Sequence, residues 1–144
     1  VEHIARANWA DLILIAPATA NLLSKAAAGM ADDMLTTTLL ATKAPVLFAP
    51  AMNSNMYENA LTQQNIEKLK ACGCHFITPD SGQLACGTSG IGRLPEPEVI
   101  VQKVCAFFKK KNTLRGKKVL VTAAGTIEPI DPVRYIGDRS SGKM

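Results

Sequence analysis

The chain has 144 residues, 47% hydrophobic and 19% charged, the balance of an ordinary globular protein long enough to bury one core, and its 5% aromatic content argues against a stacking platform for single-stranded nucleic acid. Part of its net charge of +4 lies in Lys109-Lys110-Lys111 and Lys117-Lys118, runs that read as solvated linker rather than a nucleic-acid patch, while the mild positive balance suits a phosphate-bearing small ligand. No apolar run reaches the ~20 residues of a membrane helix and no secretory signal opens the chain, so a cytoplasmic protein with neither nucleic-acid nor membrane partner is expected.

Residues 1–9 are predicted to form a helix with Val1, Ile4, Ala5 and Asn8 on one face. His3 lies on its first turn. Asp11 to Ala16 is a continuous apolar run without alternation, as in a parallel strand covered on both faces. It ends in Pro17-Ala18-Thr19-Ala20-Asn21. Thr19 is placed to cap a helix through Leu22, Leu23, Ala26 and Ala27. Such a helix start presents backbone N–H groups to a phosphate or an electron-rich ring edge. Gly29 stops that helix. The next, opened by Asp32-Asp33, is predicted to bury Met34, Leu35, Thr38 and Leu39. The two aspartates point to different sides and suit a helix start better than a metal site.

Lys43-Ala44-Pro45 turns into a second apolar strand, Val46 to Ala49, and then into Pro50-Ala51-Met52-Asn53-Ser54-Asn55-Met56-Tyr57. This stretch stands where ligands bind in open α/β sheets, at the carboxyl end of a parallel strand. Its paired Met and Asn fit either an ordinary strand-to-helix turn or a pocket for a flat, partly polar ligand. Leu61 to Cys72 is predicted as a helix, with Leu61, Ile66 and Leu69 inward, closed by Gly73. Cys74 to Ile77 is a short strand. Pro79 to Pro97 is long, irregular and rich in Gly, Ser and Pro, and carries Cys86 where it is available for chemistry. Glu96 to Lys111 is a helix with Val101, Val104, Cys105 and Phe108 as its apolar stripe. Lys117 to Gly125 then reads as a fresh strand-to-glycine turn, the opening of a second α/β unit. The four cysteines form no staple pattern, and Cys72-Gly73-Cys74 is too tight for a zinc half-site. Free thiols in a reducing compartment, and no metal, are expected.

Three segments in this order and spacing carry a resemblance: Ala16-Pro17-Ala18-Thr19-Ala20-Asn21, Pro50 to Met56, and Ala85-Cys86-Gly87. Together they resemble the flavin-dependent cysteine decarboxylases, among them phosphopantothenoylcysteine decarboxylase of coenzyme A biosynthesis. Gly116 to Met144, with Pro129-Ile130-Asp131-Pro132 and Ser140-Ser141-Gly142-Lys143, resembles the start of phosphopantothenate–cysteine ligase, which in bacteria is commonly fused behind the decarboxylase. The resemblance implies a flavodoxin-like (Rossmann-like) α/β fold, a three-layer parallel sheet whose amino-terminal part lies outside the chain, plus the first strand and loop of a second α/β domain. The expected division is 1–111, a linker at 112–116, and 117–144.

The resemblance also implies roles. His3 matches an active-site histidine that helps remove the thiol proton, and Cys86 a flap cysteine that donates a proton. Pro17, Thr19, Ala20, Asn21 and Ala51 match flavin mononucleotide (FMN) contacts. Asn53, with Met56, Ala85 and Gly87 nearby, matches the substrate site, Asn53 holding the carboxylate. The implied reaction is FMN-dependent decarboxylation of 4′-phosphopantothenoylcysteine, in trimers or multiples of trimers. CTP and Mg belong only to the ligase part outside the chain. The family's ligases carry Asn where this chain has Asp138. A non-catalytic flavin-binding regulatory relative and a peptidyl-cysteine decarboxylase are the alternatives.

Overall fold

The computed structural model describes residues 2–83, 89–108, 116–122, 127–129 and 134–137. Its centre is β1 (Leu12–Ala18), flanked by β2 (Val46–Pro50) on one side, with β3 (His75–Phe76) beyond. Both pairings are parallel, with Ile13 opposite Val46 and Leu47 opposite His75. Every residue of β1 but Pro17, and every residue of β2, is buried. The unbroken apolar runs are thus strands covered on both faces, as expected.

Two apolar clusters sandwich the sheet. On one face Ile13, Ile15, Val46 and Phe48 pack with Leu23 and Ala27 of α2 (Ala20–Ala28), Ile66 and Leu69 of α5 (Ala60–Ala71), and Leu35 and Leu39 of α3 (Met34–Ala41). On the other, Leu12, Leu14, Ala16, Leu47 and Ala49 meet Ile100 and Val104 of α6 (Pro97–Phe108). Alternate strand residues point to opposite faces, which is why neighbours such as Leu14 and Ile15 fall in different clusters. The result is the expected three-layer α/β architecture.

Thr19 caps α2 as predicted: its Oγ1 accepts from the Leu22 N–H at 3.2 Å, and Gly29 ends the helix at φ +70°. Asp33 caps α3 by accepting from the Thr36 N–H, while Asp32 pairs with Lys25 at 2.7 Å. The Lys25 ammonium holds the Asp32 carboxyl below its usual range. Both aspartates therefore serve the helix start, and no group of three metal-ligating side chains occurs among the described residues.

Several inward faces differ from the sequence expectation. In α1 (Glu2–Trp9) the buried residue is Ala7, while Ile4, Ala5 and Asn8 are exposed. The helix packs on α3, where Thr42 donates to the Ala7 carbonyl at 3.2 Å, so the partner rather than the apolar stripe sets its rotation. In α3, Thr38 is buried as expected, but Thr36 is buried too and Met34 is exposed; the threonine hydroxyls bond locally to Asp33 and to the Met34 carbonyl. Leu61 of α5 and Val101 of α6 are also exposed. Ile100 takes the inward place on α6, one residue earlier than expected.

Two differences bear on function. The stretch from Pro79 to Pro97 is not irregular throughout. β4 (Asp80–Gln83) and β5 (Ser89–Arg93) pair in antiparallel fashion, Gly82 opposite Gly90. The hydrogen-bond ladder supplies the regularity that glycine-rich composition hides. And β6 (Val119–Thr122), the strand read as opening a second unit, lies parallel to β1, Leu12 opposite Val119. β7 (Ile127–Pro129) and β8 (Tyr135–Gly137) form a separate antiparallel pair.

Candidate active site at the carboxyl ends of β1 and β2

The site forms where β1 and β2 end side by side. Their register steps from Ile15 opposite Phe48 to Ala18 opposite Pro50, so three residues of β1 span two of β2. That is a β-bulge, a device that re-aims strand ends beside functional sites. Pro17 occupies it, where the missing N–H costs no ladder bond. Beyond the bulge the Ala51 N–H donates to the Ala18 carbonyl at 3.1 Å. The stretch Pro17–Asn21 and the stretch Ala51–Asn53, distant in sequence, are thereby held as neighbours.

From Ala18 the chain passes directly into α2. The first-turn N–H groups of a helix have no intrahelical acceptor, and Thr19 Oγ1 takes only that of Leu22. Ala20 and Asn21 therefore present backbone donors at the positive end of the helix dipole. Ala18, Ala20 and Ala51 bring no bulk that would keep a flat ring from the backbone. No side chain from Ala16 to Ser24 or from Val46 to Tyr57 is charged, so the edge is neutral and donor-rich.

Asn53 caps α4 (Ser54–Glu58). Its Oδ1 accepts from the Asn55 N–H at 2.9 Å, which turns the acceptor end of the amide into the helix start. Asn53 is half-buried, whereas Met56 is exposed and Tyr57 packs toward the core. Pro17, Thr19, Ala20, Asn21, Ala51 and Asn53 thus fall on one edge, with Met56 exposed beside it.

The hairpin reaches this edge directly. The Met52 N–H donates to the Gly92 carbonyl at 2.9 Å. A Cβ on Gly92 would lie 2.2 Å from the Met52 oxygen, and one on Gly90 would lie 2.2 Å from Ser54 Oγ. The Ser54 hydroxyl is buried here without a hydrogen-bond partner among the described residues. Sequence reading placed Met52 and Ser54 in the motif but foresaw no contact between them and Gly90 or Gly92. The available signal was Gly90-Ile91-Gly92, glycines at strand spacing, which mark close backbone approach. Ala85, Cys86, Gly87 and Asp138 lie outside the described residues.

His3 is not brought to this edge by any hydrogen bond or ring contact among the described residues. It sits half-buried on the first turn of α1, the helix that packs on α3.

The chain matches known protein families over nearly its whole length. A family model described as "Flavoprotein" matches residues 1–109, and one described as "DNA/pantothenate metabolism flavoprotein C-terminal domain" matches 114–144. The chain is 51% identical over 142 residues to the "Coenzyme A biosynthesis bifunctional protein CoaBC" of Haemophilus influenzae, covering 99% of this chain and 36% of the relative. It is 53% identical over 146 residues to the protein of the same name from Bacillus subtilis, again 36% of the relative. The chain thus spans about a third of the length of these curated relatives. Among solved structures, "PPC decarboxylase mutant C175S complexed with pantothenoylaminoethenethiol" is similar at a TM-score of 0.74 and 38% identity, covering 76% of this chain and 61% of that one. "The FMN binding protein AtHal3" is similar at 0.71 and 37%, covering 78% and 62%.

Proposed function

The chain belongs to the Flavoprotein family, and on that premise we propose that it supplies the carboxylate-gripping and part of the flavin-binding edge of an FMN-dependent decarboxylase acting on 4′-phosphopantothenoylcysteine. The observation that carries the reading is the hydrogen bond from Ala51 to Ala18. It joins the capped start of α2 to the Asn53 motif at one strand-end edge.

The residues present fit FMN. Thr19 fixes the first turn of α2, Ala20 and Asn21 offer backbone donors, and Pro17 and Ala51 frame the approach to a flat ring. FMN, when bound, supplies reversible two-electron chemistry that makes loss of CO2 from an otherwise unactivated cysteine carboxylate feasible. The protein's own part is binding and orientation. Asn53 meets the carboxylate with a neutral donor, so the charge is held without the strong stabilisation an arginine would give it before it leaves. The hairpin, seated on Met52 through Gly92, covers this motif and limits water. Met56 offers an apolar rim for the substrate. His3 and Cys86 are assigned proton transfer, at the substrate thiol and the product respectively. Because α1 sits on α3, His3 reaches a substrate only across a junction with another part of the assembly, in keeping with a trimer or a multiple of trimers.

We assign residues 1–111 to the decarboxylase, 112–116 to a linker and 117–144 to the start of the ligase, whose CTP and Mg would bind beyond this chain. A cytoplasmic setting belongs to the same reading. It is supported by the absence, among the described residues, of any helix long and apolar enough to cross a membrane.

A peptidyl-cysteine decarboxylase would share the same edge, and substrate choice separates the two. The test compares CO2 release by the full-length, FMN-loaded protein from 4′-phosphopantothenoylcysteine and from a cysteine-terminated peptide. A kcat/KM at least about 100-fold higher for the small substrate is expected, some 2.7 kcal/mol of discrimination. Preference for the peptide would replace the proposal with the alternative.

A further inference from the structure

A cavity among the described residues lies at the other end of the sheet. About 510 Å³ in volume, it is lined by the entry to β2 at Pro45 and Val46, by the start of β3 at His75, and by the Cys72-Gly73-Cys74 turn. The turn ends α5. The Gly73 N–H donates to the Lys70 carbonyl at 2.9 Å and the Cys74 N–H to the Leu69 carbonyl at 3.0 Å, the paired bonds of a Schellman cap. Gly73 takes φ +89° with open space where a Cβ would stand, so backbone conformation, not crowding, requires glycine there. The cap folds the chain back so that both cysteines line one cavity.

The cavity is chemically one-sided. Its lining residues with ionisable nitrogen are Lys43, Lys68 and His75, and no Asp or Glu is among its described lining residues. The remaining walls, including Met30, Leu39 and Phe48, are mostly apolar. That combination suits a small molecule with an anionic group and an apolar stem. The two thiols differ: Cys72 is exposed and Cys74 half-buried, and burial, then the neighbouring Cys72, pushes the Cys74 thiol up. The exposed Cys72 is the attacking thiol and Cys74 the resolving one, since the thiolate is the nucleophile.

We propose that the Cys72-Gly73-Cys74 turn and the cavity beside it form a thiol–disulfide exchange site for small anionic disulfides, separate from the carboxylate edge. The Cys72 thiolate attacks one sulfur of R–S–S–R. That S–S bond breaks, one RS⁻ leaves and takes a proton from solvent, and a Cys72–S–S–R bond forms with R in the cavity near Lys43 and Lys68. Cys74 gives its proton to solvent and attacks the Cys72 sulfur, releasing the second RS⁻. Two protein thiols lose two electrons in all, and one small disulfide becomes two thiols.

The experiment uses the reduced full-length protein, with oxidised glutathione as the anionic probe and cystamine as the cationic one at equal concentration, followed by peptide mapping. Oxidised glutathione is expected to convert the peptide holding Cys72 and Cys74 to a form two hydrogens lighter, at least about threefold faster than cystamine does at low salt. Cys74→Ser should trap one glutathione on Cys72, and the preference for the anionic probe should disappear in Lys43→Gln/Lys68→Gln. Reaction at Cys105 before Cys72, equal rates with the two probes, or no glutathione on Cys72 in the Cys74→Ser protein would each overturn the proposal.

Discussion

At the scale of single residues, Gly92 and Asn53 carry the candidate site. Gly92 has φ +132°, and any Cβ would stand 2.2 Å from the Met52 carbonyl oxygen. Both the backbone conformation and the contact require glycine. Gly92→Ala is expected to lift the hairpin from the motif at a cost of roughly 1–3 kcal/mol. The direct readout is hydrogen exchange of the Met52 amide, which donates to Gly92. Its protection should fall in the variant, and unchanged protection would mean that the hairpin accommodates the side chain. For Asn53, aspartate caps a helix as well as asparagine does, so Asn53→Asp keeps α4 while it replaces the amide donor with a negative charge. Like-charge repulsion of ~3 kcal/mol predicts a loss of decarboxylation of roughly 100-fold or more, with FMN affinity unchanged in a fluorescence titration. Full turnover in that variant would remove Asn53 from the carboxylate site. The placement of Thr19 as a cap and of Ala51 and Asn53 just past a strand end was legible in the sequence. The glycine contacts were not, because a close approach between Gly92 and Met52 depends on where the hairpin lies.

At the scale of elements, strands and caps were the legible part. A strand buried on both faces leaves its mark directly in composition, so Leu12–Ala18 and Val46–Pro50 stood out. Thr19 and Gly29 bounded α2 where the capping rules put them. Thr19→Ala is expected to cost ~1 kcal/mol, measured by denaturant unfolding, while Thr19→Ser should restore most of it. A serine variant as unstable as alanine would assign the loss to the methyl group's packing instead of the cap. The faces of α1 and α3 were less legible. A short helix with several threonines offers two plausible buried stripes, and the neighbour selects one. Here Thr36 goes inward beside the expected Thr38, because Asp33 and the Met34 carbonyl satisfy their hydroxyls, as buried hydroxyls require. The hairpin escaped notice because glycine and serine carry little strand propensity.

At the scale of the whole molecule, the parallel order β3-β2-β1-β6 includes a pairing that no local pattern announces. β6 is fastened beside β1 by the Asp11 carboxylate, which accepts from the Lys118 N–H at 2.9 Å, with Lys117 Nζ 3.6 Å away. The Lys118 N–H first, and the Lys117 charge after it, hold the Asp11 carboxyl below its usual range. A carboxyl lowered on folding adds stability above its unfolded value, ~3.9, and that contribution is lost as pH falls through the lower folded value. The melting temperature of wild type should therefore exceed that of Asp11→Asn at pH 7. The gap should narrow toward zero as pH drops below ~4, and a gap that widens in acid would reverse the assignment. All of this scaffolding serves the edge at which Ala51 meets Ala18. The most direct test of that edge as a decarboxylation site is CO2 release from 4′-phosphopantothenoylcysteine by the full-length protein under anaerobic conditions, measured with FMN bound and again after FMN is stripped. Catalytic CO2 release with FMN, and its loss on stripping, is the predicted result; no release above a heat-killed control from the FMN-bound protein would contradict the account.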